Sequence, residues 1–373
     1  MPRFLPFLLL STLALFTPAI RAEDKSTEVR PLALGAAAPD FKLPGVDGRD
    51  YTLKDFAAAR VLVVIFTCNH CPTAQAYEDR IIKLHADYKD KGVAVVAINP
   101  NDPLAVRLDE LGYTDLADSF EDMKIRAKDK KLSFPYLNDG ETQRTAKAYR
   151  VLATPHVFIF DQDRKLSYVG RFDDAEVKAV KSHDARNAVE ALLAGKPVSV
   201  AQTRVFGCST KWADKREDAK RALAKWDEEP VKLEKLNEEG VAKLAKNDSK
   251  KLLVVNLWAT WCGPCVEELP EFVAMNRMYR RRDFQLVTIS LDDPEKEKSA
   301  LKVLKEKHVS ATNYILDMKD RDKFAALLDK DWPGPLPYTL LIAPGGKIIY
   351  RKSGPIEPLV VRRTIVGHLG RTY

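Results

Sequence analysis

Five cysteines carry the most reactive chemistry in this chain. Four fall into two pairs with two residues between the sulfurs, Cys68-Asn69-His70-Cys71 and Cys262-Gly263-Pro264-Cys265, and Cys208 stands apart. A C-x-x-C pair can open and close as a disulfide, supply half of a tetrahedral zinc site, or present one activated thiolate as a nucleophile. Disulfide-stabilised miniature domains are shorter and richer in cysteine, so the pairs point to chemistry rather than scaffolding.

The elements that must position these sulfurs repeat. With Cys71 laid onto Cys262, an offset of 191 residues, the segment from Val61 matches the one from Leu252 without a gap. Leu62, Val63 and Val64 meet Leu253, Val254 and Val255, and Ile81, Leu84 and Tyr88 meet Phe272, Met275 and Tyr279. Val93 to Ile98 meets Phe284 to Ile289. Each copy therefore reads as a buried strand, a cysteine turn, a helix with apolar residues at three- and four-residue steps, and a second buried strand, which is a βαβ unit. Later in each copy TPHVFIFDQDRKLSYVG answers LPYTLLIAPGGKIIYRK, a proline followed by a β-hairpin. The expected fold class is α/β, with two domains that each hold a mixed β-sheet flanked by helices.

A length of 373 residues also favours two domains, because single cores stop growing below about 250 to 300 residues. The domains expected are 31–212 and 231–373, joined by a charged helical connector at 213–230 in which no sustained heptad supports a coiled coil. Residues 1–22 read as a secretory signal, with Arg3, an apolar stretch through Phe16 and cleavage after Ala22, so the mature protein is expected in the periplasm or another exported compartment. Net charge is +7, but Lys and Arg alternate with Asp and Glu as on solvated helix faces, and no nucleic-acid partner is expected.

The stretch VVNLWATWCGPCVEELPEF resembles the active-site segment of the thioredoxin fold and is similar to the TlpA/ResA-like thiol–disulfide oxidoreductases of bacterial envelopes. The first copy, through APDFKLPGVDGRDYTLKDF, the cysteine turn and ATPHVFIFD, resembles the redoxin and AhpC/TSA (peroxiredoxin-like) branch. The resemblance implies Cys262 as the attacking thiol at a helix N-terminus and Cys265 as its resolving partner, where orphan N–H groups and the helix dipole favour a thiolate. Glu268 resembles the acidic residue that such proteins carry near the thiols; it reads either as a proton carrier for the resolving thiol or as an ordinary surface acid. Asn256 stands where thioredoxin itself has a buried acid. Pro337 and Pro155 match the cis-proline that faces the thiols and leaves the preceding backbone free to pair with a substrate segment. Pro270 should kink its helix, and Trp258 and Trp261 read as packing residues rather than binding ones, with lining of the thiol's surroundings as the alternative for Trp261.

Two readings of the first pair stay open. Cys71-Pro72-Thr73 resembles the peroxidatic C-P-T of peroxiredoxins, though Cys68 stands where those have Thr; alternatively Cys68 attacks, as in C-x-H-C disulfide-forming pairs, with His70 stabilising its thiolate. His70 also reads as a solvent-facing turn residue, and Cys208 as an extra resolving thiol for Cys71 or Cys68, or as a buried unpaired one. The function expected is dithiol–disulfide exchange on exported thiol or disulfide proteins, fed by a membrane or soluble electron donor, with the disulfides themselves as redox groups and no further cofactor or metal. The alternatives are a thiol peroxidase whose C-terminal domain is its reductant, and a copper-binding or metal-site assembly factor.

Overall fold

The computed structural model describes Met1 and residues 31–372. The signal segment expected at 1–22 lies, apart from Met1, outside the described residues. The first module is built on a five-stranded sheet. Its central strand β1 (Val61–Phe66) is buried at every residue and leads into helix α1 (Pro72–Tyr88), then β2 (Val93–Asn99), α2 (Phe120–Asp129), β3 (Tyr136–Asn138), the hairpin β4 (His156–Phe160) and β5 (Leu166–Gly170), and α3 (Asp184–Leu193). The sheet order is β3-β2-β1-β4-β5, with β1 parallel to β2 and antiparallel to β4. A strand covered on both faces can be apolar throughout, which is why VLVVIF shows no alternation. Tyr77, Ile81 and Leu84 of α1 and Ala185 and Val189 of α3 pack on the face formed by Val61, Val63 and Ile65. Leu62, Val64 and Phe66 point the other way, toward Phe41, Phe56 and Tyr149.

Helix α4 (Arg216–Asp227) lies in the charged stretch between the modules. The second module follows as β6 (Glu234–Leu236), α5 (Glu238–Lys246), β7 (Leu252–Trp258), α6 (Gly263–Tyr279), β8 (Phe284–Ser290), α7 (Glu297–Glu306), β9 (Thr312–Leu316), α8 (Arg321–Leu328), β10 (Tyr338–Ile342), β11 (Ile348–Ser353) and α9 (Pro358–Leu369). Its six strands run in the order β6-β9-β8-β7-β10-β11. β7 pairs parallel with β8 and antiparallel with β10, as β1 does with β2 and β4. Helix α6 runs on through Pro270. Among the described residues no helix is long and apolar enough to cross a membrane.

The modules are locked together. The segment between β2 and α2, residues 100–119, leaves its own sheet and seats Leu111 in the core formed by Phe272, Met275, Tyr279 and Ile365 of the second module. Tyr279 donates its hydroxyl to the Thr114 carbonyl at 2.8 Å, and Arg282 donates to the Gly112 carbonyl at 3.0 Å. Arg363 and Arg371 of the C-terminal segment both reach the Asp115 carboxylate.

Candidate active site

Both helices that carry the cysteines begin in the same way. Cys71 caps α1 and Cys262 caps α6, each with extended backbone and with a proline in the first turn, where a missing N–H costs nothing. The capping sulfurs thus face the positive end of a long helix. In the second module the partner Cys265 lies one turn into the helix, and the two sulfurs form a disulfide of 1.99 Å. In the first module the position equivalent to Cys265 is Ala74, and the second sulfur comes from the strand side, as Cys68. Cys68, Cys71 and Cys208 are free thiols.

The environment separates the roles of the two N-terminal thiols. Burial works against ionising Cys71, and so does the Thr154 carbonyl oxygen 3.2 Å from its sulfur. Thiol hydrogen bonds from Cys208 and Cys68, the charge of His70 and the Ala74 N–H outweigh both and hold the Cys71 thiol well below its usual range. Burial, the hydrogen bond to Cys71 and the charge of Asp118 push the Cys68 thiol far up. Cys68 also lies 3.3 Å from the Thr154 hydroxyl. Electrostatics therefore favours Cys71 as the more acidic thiol and Cys68 as the one that keeps its proton.

His70 is not the solvent-facing turn residue that one reading offered; only 1% of it is exposed. Its Nδ1 lies 2.6 Å from Oδ2 of Asp118, an acid that the sequence reading missed. Burial alone would neutralise both groups, but each holds the other charged: the imidazole is raised and the carboxyl lowered. Asp118 also accepts from the Asn69 and His70 backbone N–H groups and from Asn101 Nδ2, so one carboxylate ties down the whole cysteine turn. Cys68, His70 and Asp118 offer a thiol, an imidazole and a carboxylate within 4.8 Å of one another. The His70–Asp118 hydrogen bond already joins two of these side chains through Nδ1 and Oδ2.

Around the second pair, Glu268 is buried rather than an ordinary surface acid. Its carboxylate accepts from Asn256 Nδ2 at 3.0 Å and from the Ile356 N–H at 3.1 Å, yet burial still raises it above the usual range. Asn256 Oδ1 has no partner of its own. Trp258 is a core residue, as expected, but Trp261 is not: it is 67% exposed and lines an open groove of about 510 Å³ with Leu291, Arg321, Trp332 and Leu336. Thr154–Pro155 and Leu336–Pro337 are both cis, and Pro155 and Pro337 open the strands beside their respective cysteine helices. Cys208 belongs to the first centre, half-buried and packed on Cys68, Cys71 and Ala74.

The pattern of the AhpC/TSA family matches residues 34–169 and again 227–351. The chain belongs to the AhpC/TSA family. Within the thioredoxin-fold group its curated relatives include the thiol-disulfide oxidoreductase ResA of Geobacillus thermodenitrificans, 27% identical over 145 residues, which are 38% of this chain and 72% of that protein. ResA of Bacillus subtilis is 28% identical over 30% of this chain and 58% of its own length. A solved hypothetical protein of Sinorhizobium meliloti is 38% identical, covering 49% of this chain and 97% of its own, with a TM-score of 0.45. A putative thiol:disulfide interchange protein DsbE of Chlorobium tepidum is 22% identical over 44% of this chain and 97% of that one, with a TM-score of 0.33.

Proposed function

We propose that the protein is an exported thiol–disulfide oxidoreductase with two unlike centres, one open to protein clients and one enclosed. The observation that carries this is the shared cap geometry: Cys262, in a disulfide with Cys265, and Cys71, held as a thiolate, both sit at the start of a 17-residue helix. A thiolate at that position attacks a client disulfide, and the second sulfur displaces the client from the mixed disulfide. In the second centre Cys262 attacks, Cys265 resolves, and Glu268 takes or returns the resolving proton by way of the buried carboxyl. The groove lined by Trp261 and Leu336 receives the client segment beside Pro337. ResA is named a thiol-disulfide oxidoreductase, and the same exchange chemistry suits these residues. The clients are exported thiol or disulfide proteins, and electrons reach the chain from a membrane or soluble donor. The disulfides themselves are the redox groups.

The equilibrium redox state of each pair across a glutathione series, read by alkylation and peptide mass mapping, tests the proposal. Two reversible two-electron couples are expected, and a difference above about 30 mV between them sets the direction of flow. A Cys68–Cys71 pair that never closes, beside a cycling Cys262–Cys265, would overturn the two-centre reading.

A second reading, thiol peroxidase, is favoured by the Cys71 thiolate followed by Pro72 and Thr73 in an AhpC/TSA chain. It requires rapid loss of thiols on adding peroxide that Cys71→Ser abolishes.

A further inference from the structure

The two modules are each other's control. In the first module the Thr154 carbonyl, just before the strand-opening proline, lies 3.2 Å from the cap sulfur, and Leu336 holds the matching place before Pro337 in the second. In the second module no β-bridge reaches residues 333–336 among the described residues, and the groove at Leu336 is open. In the first module that edge is taken. Ala153 and Thr154 pair antiparallel with Ser209 and Cys208, a ladder supplied by the chain itself from beyond its own domain core. The pairing needs Gly207, whose φ is +147° and where a Cβ would lie 2.1 Å from the Thr154 carbonyl oxygen. The strand is held at both ends. Upstream, Thr203 N–H donates to the Val169 carbonyl; downstream, the Lys211 N–H donates to Asn101 Oδ1 and its carbonyl accepts from Asp102 N–H and Gln143 Nε2. Cys71 is fully buried and Cys68 is 2% exposed, whereas Cys208 stays partly exposed with its thiol hydrogen-bonded to Cys71.

We infer that residues 207–209 are a built-in client strand: they close the first centre to extended protein segments, and Cys208 is the relay thiol through which the buried Cys68–Cys71 pair exchanges with small disulfides. The assignment rests on the exchange reading above. As the Cys208 sulfur attacks a small disulfide RSSR, Cys71 accepts its proton across their hydrogen bond as general base; the Cys208–SR bond forms, the reagent's S–S bond breaks, and RS⁻ leaves with the proton returned from Cys71. The Cys71 thiolate then attacks the Cys208 sulfur, forming Cys71–Cys208 and expelling the second RS⁻, which is protonated from water. Cys68 attacks Cys71 last, so that Cys68–Cys71 forms and Cys208 leaves with the Cys68 proton. Two electrons pass from the Cys68 and Cys71 thiols to the reagent, and the sequence runs backwards against a reductant.

The test uses the full reduced chain with two probes, hydroxyethyl disulfide and a disulfide-linked peptide dimer long enough to form a strand, read by quenching and peptide mass mapping. With hydroxyethyl disulfide, Cys68→Ser should accumulate Cys71–Cys208-linked peptides, and Cys208→Ser should slow closure of Cys68–Cys71 by about tenfold or more, a barrier change of roughly 1.4 kcal/mol. The peptide dimer should oxidise Cys262–Cys265 in the wild type and spare the first pair; Gly207→Ala, which forces the strand off Thr154, should make the first pair react with it. Closure of Cys68–Cys71 at the wild-type rate in Cys208→Ser, or equal reaction of the peptide dimer with both wild-type pairs, overturns the inference. Closure of neither pair with either probe removes the exchange reading itself. Should Gly207→Ala fail to fold, the Cys208→Ser rates decide alone.

Discussion

At the scale of single residues the first centre depends on Asp118. Its carboxylate joins two backbone N–H groups, the His70 ring and Asn101, all buried. Asp118→Ala leaves the His70 charge and those donors unpaired inside the protein, and it should cost about 3 kcal/mol, measurable by denaturant unfolding. The ionisation of Cys71 gives a second prediction. Its folded pKa is lowered, so the thiolate persists as pH falls below the free-cysteine value of about 8.5. Ultraviolet thiolate absorbance should survive into the neutral range and vanish in Cys71→Ser. His156 sets a pH limit on stability. Burial pushes its ring down to about 3, while in the unfolded chain it gains a proton below about 6.5. Because the unfolded state binds the extra proton, this contribution is complete above about pH 6.5 and is lost as pH falls toward about 3. Acid unfolding of His156→Asn should show a shallower limb in that window. In the second centre, Glu268→Gln should slow exchange at Cys262–Cys265 on the order of 10²-fold and flatten its pH profile, since it removes the carboxyl that carries the proton.

At the scale of elements, what could be read in the sequence followed distance along the chain. The cysteine caps, the βαβ units and the proline before each hairpin are set by local period and by residues a few positions apart, so the repeated pattern revealed them. The Asp118 carboxylate, 48 residues from the ring it holds, arrives on an irregular loop with no periodicity to announce it. The burial of His70 and of Glu268 was equally hidden, because it depends on what other segments cover. For Trp261 the sequence left packing and a place beside the thiol both open, because an aromatic in a strand-to-helix turn is packed only if another segment covers it, and this one is 67% exposed. The strand at Cys208 spans two residues, too short to carry an alternating signal. Comparing the modules shows how one element serves two chemistries. The helix cap is kept, while the second sulfur moves from the helix, at Cys265, to the strand side, at Cys68, and Ala74 fills the vacated place.

At the scale of the whole molecule, the modules share a core and a set of ion pairs. Leu111 belongs by sequence to the first module and by packing to the core of the second, where it is 5% exposed. Leu111→Ala should lower stability by about 2 to 5 kcal/mol and split a single calorimetric transition into two, since it loosens the contact through which one module stabilises the other. The Asp115 carboxylate beside it gathers Arg126 of the first module with Arg363 and Arg371 of the C-terminal segment. The segment that carries Asp118 is thereby fastened to residues more than 200 positions later in the chain.

That fastening has a consequence for biogenesis. A chain made or exported from its N-terminus emerges with its first cysteine pair long before α9 exists. Until that last helix is released, the core that receives Leu111 lacks Ile365, and Asp115 lacks Arg363 and Arg371. The joint between the modules therefore closes last: the groups that set Cys71 apart from Cys68 all lie in the first module, and the seam beside their loop is completed only when the final residues have folded onto it.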